Sequence, residues 1–165
     1  MSQAADERTT IQGFLDHHRD VLRRKCAGLT PEQLATAHPP ASMTLGGMLK
    51  HLAYVENWWS VGVFLGEQPG EPWGSVDWAA DGDWDWHSAA DDDPAEVLAL
   101  YEAEVAAADR VYAGAGLDDL AVRAHHRTGE RSNLRWILMH LVEEYARHNG
   151  HADLIREAID GQVGD

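Results

Sequence analysis

Histidine and glutamate side chains in the last third of the sequence are spaced for one face of a helix. They are His140, Glu144, His148 and His151. At about 100° per residue, with the first of them at zero, they fall at roughly 0°, 40°, 80° and 20°. Apolar residues share or border this sector: Trp136, Ile137, Leu141, Leu154, Ile155 and Ile159. We therefore expect these polar side chains to point into the core, where an unpaired polar group costs a few kcal/mol. A divalent metal ion would compensate for that cost.

A Glu–His pair at positions i and i+4 can hold one ion from a single helix, because these positions are neighbours. Glu144 and His148 form such a pair. A further ligand should come from another helix, and His51, in the segment MLKHLAYVENWW, is the candidate. Gly46 and Gly47, one turn earlier, would let helices approach closely. Two histidines and one glutamate with an open position are typical of catalytic zinc, although nickel or non-haem iron would accept the same donors.

Each of these histidines, taken alone, is better explained as a hydrogen-bonded residue of the core or its rim. The alternative to a metal centre is therefore a bundle whose histidines bond to one another and whose purpose is assembly. The whole cluster, together with His51, favours the metal. His140 and His151 share the face without both being needed as ligands, so we expect them to orient ligands or relay protons. Tyr54, nearly one turn after His51, is a further candidate for a catalytic role.

The helices that hold these side chains are predicted from apolar periodicity and capping residues. The predicted bounds are Glu7 to Ala27, Ser42 or Thr44 to Leu65, Asp93 to about Tyr112, and Ser132 to Asp160. The inner face of the first helix is predicted to carry Ile11, Phe14, Leu15, His18, Val21 and Leu22. A short helix should follow Thr30, and Gly150 should lie inside the last helix without breaking it. One apolar face on each long helix predicts an all-α four-helix bundle, formed by a single domain over residues 1–165.

The connection between the second and third long helices, residues 66–92, is too long for a simple turn. It contains Trp73, Trp78, Trp84 and Trp86, with proline and glycine between them. Loops of this length are usually functional or disordered, and so many tryptophans argue against disorder. We expect this Trp-rich connection to pack against one end of the bundle and exclude water from it.

Composition excludes several classes of partner. The chain has 28 acidic and 13 basic residues, a formal charge of −15, which disfavours binding to nucleic acid or to an anionic membrane. No apolar run approaches the ~20 residues of a membrane span, and the opening MSQAADERTT does not resemble a signal peptide. We therefore expect a cytoplasmic protein.

The single cysteine, Cys26, excludes an internal disulfide and is expected to be a small buried residue rather than a nucleophile.

Two further surface features suggest contacts with other molecules. Basic and imidazole side chains cluster in one loop, at Arg123, His125, His126 and Arg127. That loop could reach an anionic substrate. Trp58 and Trp59 are expected to be exposed aromatic residues, and on that basis we expect a homodimer.

The arrangement resembles the DinB-like (YfiT-like) superfamily of four-helix metalloproteins. The signature is a histidine in the second helix, here in HLAYVE, and a ligand pair in the last helix before a glycine, here in EEYARHNGHADLIREAIDG. The resemblance covers essentially the whole chain. Within the superfamily the sequence is similar to the thiol-dependent branch that includes mycothiol-dependent maleylpyruvate isomerase. In that branch two histidines and one glutamate hold zinc, which implies His51, Glu144 and His148 as the ligands here.

The resemblance also implies a low-molecular-weight thiol as cofactor, with mycothiol preferred, and a small electrophile as substrate. A metal with an open position would deprotonate the thiol, and the thiolate would attack the electrophile in an S-transferase or isomerase reaction. Two other functions stay open at this point. One is a metal-dependent hydrolase, in which the same open position activates water. The other is a non-enzymatic metal-binding or stress-response protein.

Overall fold

The computed structural model describes residues 3–164. Its long helices are α1 (Glu7–Cys26), α3 (Leu45–Asn57), α5 (Pro94–Ala113) and α6 (Leu134–Asp160), and its short ones are α2 (Pro31–Leu34) and α4 (Trp84–His87). Turns of 3₁₀ helix lie at Trp73–Ser75 and Ser88–Ala90. Helix accounts for 63% of the chain and the described residues form no strand, which confirms the predicted all-α fold. The single-domain prediction also covers Met1, Ser2 and Asp165, which lie outside the described residues.

Capping side chains begin the long helices where predicted, with one exception. Thr44 caps α3 by accepting a hydrogen bond from the backbone N–H of Gly47 at 3.0 Å. The last helix is capped by Asn133, which accepts from the N–H of Trp136 at 2.9 Å, and not by Ser132 as predicted. Ser132 is still extended chain, because its carbonyl pairs with the N–H of Ala121 at 2.8 Å. From Asn133 onward α6 is continuous to Asp160, through Gly150, as expected.

The helix that begins at Leu45 widens before it ends. From Trp58 to Leu65 the backbone follows a π-helix, and Gly66, with φ of 70°, ends it in the left-handed conformation that glycine adopts readily. The helix therefore reaches Leu65, as predicted, but its wider last turns were not foreseen. Turns of this kind often lie at functional sites. Trp58 and Trp59, at its start, are half-buried rather than exposed, so the homodimer prediction loses its stated basis and stays untested.

The long helices pack in pairs around one core. α1 lies against α6 and α3 lies against α5, while α3 also contacts α1 and α6. Apolar side chains with essentially no exposure fill the centre: Leu15, Leu22, Leu45, Met48, Leu52, Tyr101, Leu134, Leu141 and Tyr145. This packing agrees with the predicted bundle. Within residues 3–164, no helix is both long enough and apolar enough to cross a bilayer.

Apolar side chains at the edges of the predicted inner faces are exposed, contrary to expectation. Phe14 is 48% exposed, Trp136 is 50% exposed and Leu154 is 62% exposed. Ile137 and Leu141, nearer the centre of the same α6 stripe, are fully buried. When His140 is set at zero, the buried side chains of α6 occupy a sector from about 60° to about 180°, whereas Trp136 and Leu154, at about −40°, lie outside it and remain in solvent.

The Trp-rich connection packs against the bundle as predicted. Trp73 is buried, and its indole N–H donates to a carboxylate oxygen of Glu104 on α5 at 2.7 Å. Trp78, Trp84 and Trp86 are partly buried against the same core. The connection is therefore an ordered part of the core's surface.

Gly47 lets the Trp-rich connection approach α3. A Cβ at this position would lie 3.1 Å from Cε3 of Trp86 and 3.2 Å from the carbonyl oxygen of that residue. A Cβ at Gly46 would lie 3.3 Å from the carbonyl oxygen of Leu34. These glycines thus permit close packing, but with α4 and α2 rather than with another long helix. As a result the ring of Trp86 stacks on His51, one turn further along α3, with centroids 4.5 Å apart.

Candidate metal centre

Side chains from two distant parts of the chain meet between α3 and α6. His51 comes from α3, while Glu144 and His148 lie one turn apart on α6. Their ligand atoms, one from each residue, all lie within 4.8 Å of one another. Nε2 of His148 is 3.4 Å from a carboxylate oxygen of Glu144, and the rings of His51 and His148 have centroids 4.9 Å apart. The structure thus brings together the residues predicted as ligands, and their binding of a metal stays a prediction.

His51 is held by a carboxylate that sequence reasoning missed. Asp85, in α4, is buried, and its Oδ2 lies 2.7 Å from Nδ1 of His51. A proton on Nδ1 can be donated to this carboxylate, which leaves Nε2 with a lone pair for a metal. Carboxylate–histidine pairs of this kind are typical of metal sites. The sequence gives little sign of this role, because Asp85 is one of many acidic residues in the Trp-rich connection and only its place between Trp84 and Trp86 is distinctive.

Burial sets the protonation state of His148. Its pKa is lowered to about 4, chiefly by the loss of hydration and then by the charges of three neighbours, His51, Arg147 and His151. The imidazole is therefore neutral at pH 7, which is the form that binds a metal. Within the described residues its Nδ1 is buried without a hydrogen-bond partner. This does not fit the alternative in which the histidines satisfy one another by hydrogen bonding, and it does fit a donor set made for an ion.

His140 lies next to Glu144 at one end of the cluster. Its Nε2 is 3.7 Å from a carboxylate oxygen of Glu144. The ring stacks on Trp136, with centroids 5.0 Å apart, and meets the edge of Trp59 at 4.8 Å. The imidazole is thereby held by aromatic side chains and is partly exposed. Its predicted role in orienting a ligand or moving a proton is compatible with this position and stays a prediction.

His151 lies at the other end of the cluster. Its ring centroid is 6.1 Å from that of His148, and its Nδ1 is buried with no hydrogen-bond partner in residues 3–164. It also borders an apolar cavity of about 660 Å³, whose other walls include Pro39 and Leu154. His140 and His151 therefore flank the cluster on opposite sides along α6, and the role of His151 also stays a prediction.

Tyr54 lies among the tryptophans rather than in the cluster. Its ring stacks on Trp78, with centroids 4.4 Å apart. Burial raises the pKa of its hydroxyl, as does the charge of Asp85, while Arg123 opposes the shift. Tyr54 remains protonated at neutral pH, so it could donate a hydrogen bond but could not act as a base.

Cys26 has the character expected of a small core residue. It is buried at the end of α1, and its thiol donates a weak hydrogen bond to the carbonyl oxygen of Leu45 at 3.8 Å. Burial raises the pKa of the thiol to about 12. Since the thiolate is the nucleophilic form, this cysteine does not supply a nucleophile at neutral pH.

The donor set determines which chemistry the cluster can support. Two neutral imidazoles and one carboxylate would leave a bound divalent ion with a net positive charge, and three protein ligands leave room for a further one. Glu144 and His51 are partly exposed, whereas His148 is buried. A small molecule would therefore reach the cluster from the side of Glu144 and His51. These residues fit a catalytic site better than a closed structural one.

A comparison with known protein families finds one that this chain matches. The family model described as mycothiol-S-transferase matches residues 10–161. The matched span contains every residue of the cluster and Asp85. No curated protein matches the chain.

Proposed function

Because the chain belongs to the mycothiol-S-transferase family, which is part of the DinB/YfiT-like group, we propose that it is a metal-dependent S-transferase that joins mycothiol to a small electrophile. The observation that carries the proposal is the convergence of His51, Glu144 and His148 inside the matched span. The family suggests the thiol, and the cluster supplies a place where a thiol can be activated.

The metal that we propose for this cluster is zinc, because two imidazoles and one carboxylate with an open position suit it. When bound, the ion would lower the pKa of a coordinated thiol so that the thiolate predominates at neutral pH. Asp85 would fix the tautomer and the ring plane of His51. Burial would keep His148 neutral and ready to bind.

The remaining polar side chains would handle protons and position the thiol. His140, which contacts Glu144 and is partly exposed, is suited to accept the proton that the thiol loses and to pass it to solvent. His151, which borders the apolar cavity on the far side of His148, is suited to orient the thiol. Tyr54 could donate a hydrogen bond to a substrate oxygen.

The reaction forms a carbon–sulfur bond and breaks two bonds, the S–H bond of the thiol and the bond from carbon to the leaving group. The sulfur of the thiol bonds to the electrophilic carbon, and that carbon's bond to its leaving group breaks. With 1-chloro-2,4-dinitrobenzene as a generic probe, chloride departs with the bonding electron pair and the thiol proton goes to solvent. No oxidant or reductant is required.

The proposal is tested by assaying conjugation of mycothiol with this probe and measuring the metal content of the same preparation. We expect about one metal ion per chain, as three protein ligands imply, and conjugation faster than the uncatalysed reaction. His148→Ala should lose both the metal and the activity. His87→Ala is the matched control, because it removes an exposed histidine of the Trp-rich connection that pairs with Asp81, and it should retain both.

Other outcomes would contradict the proposal. Conjugation that persists in His148→Ala would show that the cluster does not activate the thiol. Ester hydrolysis without added thiol, in place of conjugation, would favour a hydrolase that activates water at the same position. Equal rates with mycothiol, bacillithiol and glutathione would overturn the choice of thiol. The single-domain, cytoplasmic and homodimer predictions are independent of this test and stay predictions.

A further inference from the structure

A cavity of about 1080 Å³ opens near the candidate metal centre. It lies between the π-helix Trp58–Leu65, the start of α6 and the loop that precedes α6. Its aromatic wall consists of Trp58, Trp59 and Trp136. The loop residues opposite include Arg123 and Arg131. Small-molecule sites commonly measure about 300–1,000 Å³ and are mostly apolar with a few polar groups. The cavity therefore has the size and lining of a site for a small molecule.

Arg123 brings an unpaired positive charge to this cavity. Its guanidinium lies over the ring of Trp58, 4.9 Å from the centroid, and the side chain is half-buried. Within residues 3–164 the guanidinium forms neither an ion pair nor a hydrogen bond. This is notable in a chain with 28 acidic and 13 basic residues, because carboxylates are abundant and none has been placed against it.

The backbone around Arg123 is hydrogen-bonded to the π-helix that follows α3. The N–H of Arg123 donates to the carbonyl oxygen of Val63 at 3.1 Å, and the N–H of Val122 donates to that of Phe64 at 2.9 Å. These bonds tie the loop to the same π-helical segment that carries Trp58. Arg123 is thus positioned before any ligand arrives, which reduces the ordering cost of binding one.

The other ionisable side chains of the wall leave the charge of Arg123 uncancelled. Arg131 donates to backbone carbonyl groups and is occupied by them. Glu130 also lines the cavity, but among the described residues it pairs with neither arginine. His125 and His126 lie side by side, with ring centroids 5.0 Å apart, and add polar groups to the wall.

The aromatic wall extends from Arg123 toward the candidate metal centre. Trp59 and Trp136 line the cavity and also hold the ring of His140 between them. Nε2 of His140 is 3.7 Å from the carboxylate of Glu144. A planar molecule lying along this wall would have one end near Arg123 and the other directed toward the cluster.

We propose that this cavity binds the electrophilic substrate, that the substrate carries a carboxylate on a planar, unsaturated body, and that Arg123 binds the carboxylate. The inference rests on the proposed function, because it assigns the second substrate of that reaction. The tryptophans contact the planar body, and the guanidinium donates two parallel N–H hydrogen bonds to the carboxylate.

A carboxylate fits this site better than a phosphate. Among the described residues, Arg131 donates to backbone carbonyls whereas the guanidinium of Arg123 has no hydrogen-bond partner, and the fork of N–H groups on Arg123 matches the two oxygens of a carboxylate. The formal charge of the chain is −15, so a dianion would be repelled more strongly than a monoanion. Both considerations favour a single negative charge on the ligand.

Calorimetric titration of the metal-loaded full chain tests the assignment. The probes are benzoate, trans-cinnamate and 2-naphthoate, each compared with its uncharged primary amide. We expect at least one carboxylate to bind about tenfold or more tightly than its amide, as a charge-assisted hydrogen-bonded pair implies. Arg123→Gln should remove that preference. Arg127→Gln removes the same charge from an exposed position of the same loop and should keep the preference.

Each contrary result overturns the assignment. If Arg123→Gln binds the carboxylates as the wild type does, the anion is held elsewhere, for instance by the metal itself. If none of the three acids is preferred over its amide, the cavity does not select for a carboxylate. If phenylphosphonate binds more tightly than benzoate, the ligand is a dianion instead. No thiol is added, so these outcomes are read separately from the success or failure of S-transfer.

A kinetic comparison links the site to the reaction. 4-Chloro-3,5-dinitrobenzoate, like the generic probe, has an aryl carbon–chlorine bond activated by two nitro groups, and it carries a carboxylate para to the chlorine. Arg123→Gln should raise KM for this substrate about tenfold or more, with little change in kcat, and its effect on KM for 1-chloro-2,4-dinitrobenzene should be much smaller. Equal effects on both substrates would mean that Arg123 supports the fold and does not recognise the anion.

Discussion

Asp85 contacts His51 of the candidate metal centre and would act on a bound ion through that imidazole ring. Its carboxylate is 3% exposed and lies 2.7 Å from Nδ1 of His51. The stacked ring of Trp86 fixes the plane of the same imidazole. A buried anion on one ring nitrogen makes the other a stronger electron-pair donor, and it also selects the tautomer that can bind a metal.

Asp85→Asn should therefore weaken metal binding about 10- to 100-fold, the range typical of such supporting partners. The neutral amide accepts a weaker hydrogen bond from the imidazole and can also present its N–H₂ group, which would favour the wrong tautomer. Competition with a chromophoric chelator measures the affinity.

Asp83→Asn is the control for this variant. Asp83 lies two positions earlier in the same connection, is exposed, and makes no capping hydrogen bond with its side chain. Its replacement should leave the affinity unchanged. If Asp85→Asn binds the metal as tightly as the wild type, the hydrogen bond to His51 does not tune the centre.

There is a physical reason why the candidate ligands could be predicted from the sequence and Asp85 could not. Glu144 and His148 could be recognised because a helix has a fixed period, so spacing alone puts them on one face. His51 could be added because it lies on the apolar side of another predicted helix. Asp85 comes from an irregular connection, where no period relates sequence position to direction. Only tertiary packing, through Gly47 and Trp86, brings it to the site.

At the scale of helices, a buried network of ionic and hydroxyl groups joins the four long helices beside the cluster. Arg19 of α1 forms two hydrogen bonds to Glu56 of α3, at 2.8 and 2.9 Å. Tyr145 of α6 donates to the same carboxylate at 2.9 Å, and its hydroxyl oxygen lies 3.0 Å from the hydroxyl of Tyr101 on α5, which can donate to it. Glu56 lies one turn and a half after His51, and Tyr145 follows Glu144. The network therefore sets the spacing of the helices that carry the predicted ligands.

Arg19→Met should lower the free energy of unfolding by about 3–5 kcal/mol, the usual result of leaving one member of a buried ion pair alone. Glu56 is fully buried, and burial raises the pKa of its carboxyl group while Arg19 lowers it. Without the arginine, the carboxylate must be protonated or remain an uncompensated buried charge. Chemical denaturation measures the effect.

Two further variants show whether the loss comes from the buried charge. Arg23 lies one turn after Arg19 on α1 and forms a similar two-bond pair with Glu102, but at the surface. Arg23→Met removes this pair. Its cost should stay within about 1 kcal/mol. Arg19→Met combined with Glu56→Leu should recover much of the stability, because no lone charge remains. A double variant as unstable as the single one would assign the loss to packing.

The boundaries of the helices were predictable where a capping side chain marks them, as at Thr44. The sequence could not show that Trp58–Leu65 would form a π-helix, because its apolar pattern suits either kind of turn. Nor could it show that Trp136 would be half-exposed. The exposure of Trp136 depends on which neighbouring segment covers the edge of the apolar face of α6. In the structure this edge faces the cavity that Arg123 also lines.

At the scale of the whole molecule, a metal in the cluster would link the two halves of the bundle. The helices pack as two pairs, α1 with α6 and α3 with α5. His51 belongs to one pair, while Glu144 and His148 belong to the other. The Trp-rich connection is tied in as well, through Asp85. An ion bound here would cross-link segments that are distant in sequence and would bind the native state in preference to the unfolded chain.

Removal of the metal should therefore lower the melting temperature of the wild type. Binding at a free metal concentration of about one hundred times Kd stabilises the native state by about 2.7 kcal/mol. For a chain of this size that corresponds to about 5–10 °C. Differential scanning calorimetry with and without a chelator measures the shift.

His148→Ala should melt at the same temperature under both conditions, because it has lost a ligand, whereas His87→Ala should respond as the wild type does. A chelator effect of equal size in His148→Ala would place the stabilising metal elsewhere, and no effect in the metal-loaded wild type would show that the cluster does not hold the bundle together through an ion.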